Sequence, residues 1–163
     1  MTRLQVNFDP LSSMEGIDTR FIDHFEDLPS EPPLSLRGAN ALDEYKAVPE
    51  YDPIVDEISP DYLEAFFLGI SHLDAVSWRY YLPYLLGYSV QNIRNPNSHA
   101  VDAFLSNLRP PDREPPWFSL LSSAEKNVIV SVLDKLAFSD ESEWQEQAIV
   151  ALEEYWAPGA LYR

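Results

Sequence analysis

The sequence predicts an all-α protein, with a single compact domain of about six or seven helices around a proline-kinked central helix. Apolar residues recur at helical spacing along most of the 163 residues. Helix-starting motifs, such as Ser59-Pro60-Asp61 and Ser122-Ser123-Ala124-Glu125, precede several of these stretches. Hydrophobic residues make up 45% of the chain, which indicates a folded core rather than a disordered acidic tail.

The N-terminal part combines an alternating segment with a first predicted helix. Apolar and polar residues alternate in residues 1–11, which predicts a short strand or an arm lying on the core. Ser12 and Ser13 can cap a helix. Its apolar face is predicted to hold Ile17, Phe21, His24, Phe25 and Leu28. Three prolines between residues 29 and 33 end this helix.

A second helix is predicted over Ser35–Lys46, and an irregular acidic loop over residues 47–59. Pro49 and Pro53 disfavour regular structure in the loop, because proline lacks a backbone donor and restricts the residue before it. Four residues are placed on the inward face of the helix: Leu36, Ala39, Leu42 and Tyr45.

The next two helices form the predicted centre of the domain. Ser59-Pro60-Asp61 favours a helix start, because it combines a hydroxyl cap, an early proline and an acid near the positive dipole end. The apolar stripe that follows consists of Tyr62, Leu63, Phe66, Phe67 and Ile70. Asp74 can cap the segment Ser77–Tyr88, which is apolar nearly all round and therefore predicted to be buried. Pro83 removes the hydrogen bond to the carbonyl of Arg79, so we expect a kink there.

The C-terminal half contains three further predicted helices. A turn at residues 95–98 precedes a short helix that carries Ala100, Val101, Phe104, Leu105 and Leu108. Residues 109–116 hold four prolines and predict a stiff loop inside the domain. A capping box at residues 122–125 starts the next helix, and Ser139 or Asp140 is predicted to cap the last one.

The chain is strongly and unevenly acidic, with a formal net charge of −16. Residues 1–70 hold 15 acidic and 4 basic side chains, residues 71–118 hold 4 of each, and residues 119–163 hold 8 and 3. Such a chain repels phosphate groups, so we expect no binding to nucleic acid or to anionic membranes. The absence of cysteine and of an apolar N-terminal signal region predicts a cytoplasmic protein.

Recognisable catalytic motifs are absent from the sequence. It contains no G-x-S-x-G, G-x-G-x-x-G or P-loop, and His24, His72 and His99 lack the spacing of a helical metal pair. We therefore predict a non-enzymatic protein and assign no catalytic, cofactor-binding or metal-binding residue. Arg79 is the one charge in the apolar helix. Its guanidinium either extends to the surface, pairs with an acid, donates to carbonyls that Pro83 leaves without a helical partner, or binds a ligand.

The segment between residues 43 and 64 is the candidate functional region. Acids and tyrosines are interleaved there, which suits a basic protein partner: tyrosine supplies rigid contact area, and carboxylates steer and pair with arginine. The candidate partner-binding residues are Asp43, Glu44, Tyr45, Glu50, Tyr51, Asp52, Asp56, Glu57, Asp61, Tyr62 and Glu64.

Three functional hypotheses follow from these residues. The first is a non-catalytic protein-binding protein, such as an immunity or inhibitor protein that engages a basic partner. The second is an enzyme whose site combines Arg79, nearby tyrosines, His72 and acids of residues 56–64. The third is a structural homo-oligomer that shares its aromatic helices between subunits.

Four sequence blocks together resemble a bacterial domain family of unknown function. They begin at Leu36, Trp78, Phe118 and Ala151, and the resemblance extends from about residue 20 to residue 156. The block Arg-Tyr-Tyr-Leu-Pro, residues 79–83, is the most specific, and a Glu-Tyr-Trp block lies near the C-terminus. The resemblance implies a single bacterial cytosolic domain, and it implies no activity, cofactor or catalytic residue.

Overall fold

The computed structural model describes residues 16–109 and 116–161, which form helices and connecting loops without any strand. The α-helices in these ranges are α1 (Leu36–Asp43), α2 (Pro60–Ala65), α3 (Ala75–Gln91), α4 (His99–Asn107), α5 (Ser123–Phe138) and α6 (Gln145–Ala151). Shorter 3-10 segments lie at Ile22–His24, Phe67–His72 and Pro116–Leu120, and a π-helical segment at Leu152–Trp156. The all-α prediction is therefore confirmed. The predicted arm at residues 1–11 and residues 110–115 of the proline-rich loop lie outside the described residues.

Helix α3 forms the centre of the domain, as its apolar sequence predicts. Trp78, Tyr81, Leu82 and Leu86 are fully buried, and the helix continues through the buried Pro83. The kink at this proline stays a prediction. None of the helices within the described ranges is long and apolar enough to cross a membrane.

Most of the predicted helix caps are confirmed. At each of these caps the side chain accepts a hydrogen bond from the backbone N–H three residues later, which satisfies a donor that the helix leaves unpaired. The predicted caps at Ser59, Asp74 and Ser122 are confirmed, and Ser35 and Ser98 are further caps that were not predicted. Glu125 completes the capping box with Ser122.

The third predicted helix is shorter than its apolar stripe suggests. Helix α2 ends at Ala65, and the chain continues as the 3-10 segment Phe67–His72 packed against α1. At Gly69 the two backbones nearly touch: a Cβ atom there would lie 2.5 Å from the carbonyl oxygen of Leu36 and 2.6 Å from the backbone nitrogen of Asn40. The chain therefore packs closely against α1 as a 3-10 segment, where the sequence predicted a continuation of α2.

The predicted first helix is wrong over the described residues, because only Ile22–His24 forms a helical turn there. The segment before that turn bonds to α3 instead. Gln91 donates to the carbonyl of Gly16 and accepts from the N–H of Asp18 at 3.1 Å. The Asp18 carbonyl lies against Gly87, where a Cβ atom would clash with it. Asp27 then adopts a left-handed backbone conformation, with φ of 58°, which breaks the helical pattern.

The start of the last helix also differs from the prediction. Helix α6 begins after Trp144, which makes no side-chain cap, whereas Ser139 ends α5. The indole of Trp144 is buried and donates to the carbonyl of Asn92 at 3.0 Å. The helix thus starts directly after a buried indole and without a side-chain cap.

Aromatic side chains connect the C-terminal elements to α3. The ring of Trp117 stacks on that of Trp78 with 5.5 Å between centroids, and its indole N–H donates to the carbonyl of Leu73. Phe118 contacts both Trp78 and Trp156. The ring of Trp78 in α3 is thus covered by aromatic side chains of the same chain.

Candidate protein-binding face

The acidic loop, residues 44–59, lies between α1 and α2 and is held by its own carboxylates. The Oδ1 atom of Asp52 accepts from the N–H groups of Ile54 (2.8 Å) and Val55 (3.1 Å). Asp56 accepts from the N–H of Asp52 at 2.8 Å and donates its own N–H to the carbonyl of Asp52 at 2.7 Å. The tip of the loop is therefore a closed turn.

A buried ion pair fixes this turn to α1. Arg37 donates from Nε and Nη2 to the two carboxylate oxygens of Asp56, at 2.9 Å each. The Asp56 side chain is 0% exposed. Burial opposes its ionisation, but the bonds from Arg37, from the Asp52 N–H and from Tyr62 prevail and hold the pKa of Asp56 below its usual value. Arg37 also donates to the carbonyl of Glu50 at 3.1 Å, so one guanidinium binds both sides of the loop.

Two buried tyrosines extend this network into the core. The Tyr62 hydroxyl donates to Asp56 at 2.7 Å and accepts from the backbone N–H of Arg37 at 3.1 Å. The Tyr81 hydroxyl, in α3, accepts from the N–H of Leu36 at 2.9 Å. Burial raises the pKa of Tyr62 and raises that of Tyr81 to about 12. Both hydroxyls therefore stay neutral at physiological pH and serve as hydrogen-bonding groups.

Tyr45 occupies an unusual position at the end of α1. Its φ is 60°, and the N–H of Lys46 donates to the carbonyl of Ala41 while the N–H of Tyr45 donates to that of Leu42. This pattern is the Schellman motif, in which the left-handed position is normally a glycine. The predicted inward positions of Tyr45 and Leu42 are wrong: Tyr45 lies beyond the end of α1 and is 98% exposed, and Leu42, within α1, is 43% exposed.

The outer surface of the loop presents apolar side chains among acids. Five of the ten exposed large apolar residues in the described part of the chain lie between residues 42 and 55. We define the acidic face as the exposed side chains of this region: Glu44, Tyr45, Val48, Glu50, Asp52, Ile54, Val55, Glu57 and Asp61. Glu44 contacts Lys46 at 3.3 Å, whereas Glu50, Glu57 and Asp61 make no ion pair with any described residue.

Nine of the eleven predicted partner-binding residues are at least partly accessible, and the half-buried Glu64 is one of them. Six are in the acidic face, Asp43 is half-exposed and bonds to the Nε2 atom of His72 at 2.9 Å, and Tyr51 is half-buried. Tyr51 lies close to Tyr80, whose pKa is raised by burial and further by its electrostatic interaction with Tyr51. Three of the eleven, Asp56, Tyr62 and Glu64, use their polar groups inside the protein.

Glu64 anchors the start of α4. Its carboxylate accepts from the hydroxyls of Tyr88 (2.7 Å) and Ser98 (2.5 Å) and from the N–H groups of His99 (3.0 Å) and Ala100 (3.2 Å). A negative group beside the first N–H groups of a helix is favourable both as a hydrogen-bond acceptor and through the helix dipole. The arrangement shows a carboxylate that stabilises the fold, a role that the sequence did not reveal.

Arg79 and His72 have separate partners. Arg79 donates to both carboxylate oxygens of Glu125, at 3.0 and 2.6 Å, and to the carbonyl of Glu26 at 2.8 Å. Its guanidinium also lies 5.8 Å from the centre of the Phe25 ring. Of the roles considered for Arg79, pairing with an acid is the one that the structure shows. His24, predicted to be packed, is exposed.

A groove that no sequence pattern indicates lies beside the acidic face. A space of about 520 Å³ separates residues 31–35 from residues 48–51. Glu31, Glu50 and Tyr51 supply its polar rim, and prolines form much of its wall. The separation of the two segments along the chain explains why no local pattern indicated it.

The fold and the acidic face define the class of protein: an acidic, all-helical domain that presents an ordered, exposed loop. Residues 15–160 match a family of unknown function (DUF6714), and the chain belongs to that family. The predicted membership of a family of unknown function is thereby confirmed. No curated protein and no solved structure shows significant similarity to the chain.

Proposed function

We propose that this protein is a non-catalytic protein-binding domain whose acidic face engages a basic protein. A concrete version is an inhibitor or immunity protein that covers a positively charged groove of its target. The observation that carries the proposal is the presentation of exposed apolar side chains, above all Tyr45 and Ile54, by an internally braced loop among unpaired carboxylates. Large exposed apolar groups surrounded by polar ones are typical of protein interfaces.

The ion pair between Arg37 and Asp56, beneath the loop, favours this function. Because Arg37 and Asp56 hold the loop in one conformation, binding would cost less conformational entropy than it would for a flexible loop. Tyr45 and Ile54 would supply the buried anchors, and the surrounding carboxylates would accelerate encounter with a basic surface.

The backbone of Tyr45 supports the same proposal. A left-handed conformation costs a non-glycine residue about 1–2 kcal/mol. Because the Tyr45 side chain is 98% exposed, packing within the chain does not offset this conformational cost. Such strain is typical of residues kept for binding. Tyr45→Gly is therefore expected to raise the free energy of unfolding by about 1 kcal/mol while it weakens partner binding. Urea denaturation and the binding assay below measure the two effects.

The direct test is capture of the partner from an extract of the source cells by the immobilised domain, at about 0.1 M and about 1 M salt. The loop variant combines Glu44→Gln, Glu50→Gln and Glu57→Gln. The matched control combines Asp140→Asn, Glu143→Gln and Glu146→Gln, three exposed acids elsewhere that give the same change in charge. The captured protein is identified and its affinity for each purified variant is measured.

We expect a basic partner whose capture falls at high salt, is lost in the loop variant and in Tyr45→Gly, and persists in the control. Failure to retain any protein at low salt would contradict the proposal. So would a partner whose affinity is the same for the loop variant and the control.

A further inference from the structure

A concave, largely apolar surface lies between α5 and the C-terminal part of the chain. We define the C-terminal groove as the space of about 350 Å³ between residues 130–138 and residues 149–158. Its wall on α5 is formed by Val130, Asp134 and Phe138, which follow one another at intervals of four residues. Such a stripe extends over about 12 Å, or about two helical turns. The groove is therefore long enough for a segment of another chain.

The opposite wall is also helical and apolar. Ile149 lies in α6, and Leu152 begins the π-helical segment, in which the N–H of Ala157 donates to the carbonyl of Leu152 at 2.9 Å. Most backbone groups of both walls are thus paired within their own helices. An extended peptide would find few backbone partners between such walls, whereas a helix pairs its own backbone groups.

Exposed apolar side chains border the C-terminal groove. Phe138 and Leu161 are 69% and 75% exposed, and among the large apolar residues of the described chain only Tyr45 and Ile54, in the acidic face, are more exposed. The backbone N–H of Leu161 donates to the carbonyl of Glu153 at 3.1 Å, which holds Leu161 beside the groove. Exposed apolar residues that cluster around a concave surface indicate an interaction site, unlike the scattered exposure that is normal for a monomer.

The charged groups at the groove select the chemistry of its occupant. Asp134 and Glu153 lie on opposite walls, are exposed and make no ion pair with any described residue. Residues 119–163 hold 8 acidic and 3 basic side chains. An occupant with basic side chains beside its apolar ones would complement these carboxylates. A second copy of the chain fits less well, because it carries the same net charge of −16 and would be repelled.

We propose that the C-terminal groove binds a short amphipathic helix of a partner protein, with its apolar stripe between Phe138 and Leu152 and its basic residues at Asp134 and Glu153. Apolar residues at positions i, i+3, i+4 and i+7 of a helix span about two turns, which matches the length of the groove. The C-terminal groove shares no residue with the acidic face, so this binding surface does not depend on the proposed function.

The test is an NMR titration of the full-length, isotope-labelled protein with a synthetic amphipathic peptide of about 15 leucine and lysine residues, long enough to form a helix. We expect saturable shifts at the amides of Val130, Phe138, Ile149 and Glu153. One control peptide has the same composition but no apolar face as a helix, and the other has glutamate in place of lysine. Both are expected to bind at least about tenfold more weakly.

Two variants separate the apolar and the charged contributions. Phe138→Ser should weaken binding of the leucine–lysine peptide by about tenfold, because an exposed anchor is lost. Its matched control is Ile54→Ser, which removes an exposed apolar side chain from the acidic face and should change the affinity less than about twofold. The double variant of Asp134→Asn and Glu153→Gln should weaken binding by about threefold or more at low salt and less at high salt.

The charge-matched control combines Glu44→Gln and Glu57→Gln in the acidic face and should change the affinity less than about twofold. Thermal unfolding verifies that all variants fold. The proposal is overturned by the absence of saturable shifts, by shifts that lie mainly in the acidic face, by equal binding of either control peptide, or by equal weakening in the control variants. A dimer in light scattering that Phe138→Ser dissociates would assign the groove to a second copy and also refute it. Because the capture experiment tests the acidic face, either experiment can fail without the other.

Discussion

Two buried arginine–carboxylate pairs have nearly the same chemistry and different positions in the molecule. Arg79 and Glu125 join α3 to the start of α5, and Arg79 also bonds to the carbonyl of Glu26. Arg37 and Asp56 join α1 to the acidic loop. The first pair connects elements of the core, whereas the second holds a surface loop in place.

The same kind of ion pair thus stabilises the core in one place and fixes the conformation of an exposed loop in another. Removing Arg79 would leave Glu125 buried between helices that cannot separate without unfolding. Removing Arg37 would leave Asp56 with two donors, the Tyr62 hydroxyl and the Asp52 N–H, in a surface loop that can move without unfolding the core. The energetic cost of breaking the two pairs should therefore differ, and so should the extent of the structural change.

The largest effect is expected for Arg79→Ala. This variant leaves the Glu125 carboxylate, whose side chain is 5% exposed, without a charged partner and with only the N–H of Ser122 as a donor, and should lose about 3–5 kcal/mol of the free energy of unfolding. Urea denaturation at neutral pH measures the loss. A loss below about 1 kcal/mol would show that Glu125 finds water or another donor, and the proposed contrast between the pairs would fail.

A smaller, local effect is expected for Arg37→Ala. The free energy of unfolding should fall by about 1–3 kcal/mol, because a buried carboxylate loses its main partner but keeps two donors. Hydrogen exchange should accelerate at the amides of Asp52 and Asp56 and stay unchanged in α3. Acceleration throughout the molecule would mean that this pair, too, supports the core.

The ionisation of Asp56 should appear in the pH dependence of stability. Its folded-state pKa lies below the ordinary 3.8, so its charged form stabilises the folded protein above that pH. This contribution is lost as the pH falls below 3.8. The free energy of unfolding should therefore decrease less between pH 5 and pH 3 in Asp56→Asn than in the natural protein. Urea denaturation at several pH values in this range measures both decreases in the free energy of unfolding. The contributions of the other carboxylates are the same in the two proteins and cancel in the comparison. Equal decreases would refute the prediction.

The smallest effect is expected for Arg94→Ala. Arg94 pairs with Glu141 on the surface, where the two side chains are 76% and 37% exposed. Exposed pairs contribute about 0–1 kcal/mol because water and salt screen them. The same denaturation assay should show a loss within this range. A loss comparable to that of Arg79→Ala would remove burial as the explanation for the difference.

Local sequence signals predicted much of the fold. Ser59, Asp74 and Ser122 begin helices because a cap needs only a side-chain oxygen and the next backbone donors. The burial of α3 followed from its apolar composition. These features depend on neighbours in the chain, which a single sequence displays.

The errors arose where distant parts of the chain meet. The contact between Asp18 and Gly87 replaces the first predicted helix, and the contact of Gly69 with α1 shortens the third. At the candidate site, charge and tyrosine content indicated the region but did not reveal that Arg37 neutralises Asp56 or that Glu64 caps α4. Sequence spacing carries no signal for such long-range pairs.

The stacked rings of Trp78 and Trp117 have a further consequence. Their planes are inclined by 11°, and the two residues come from opposite sides of the proline-rich segment. Two indoles so close should couple electronically and produce a paired band of opposite signs in the circular dichroism spectrum. This optical signal should form only when the C-terminal part docks on α3, which makes it a built-in reporter of the order in which the domain assembles.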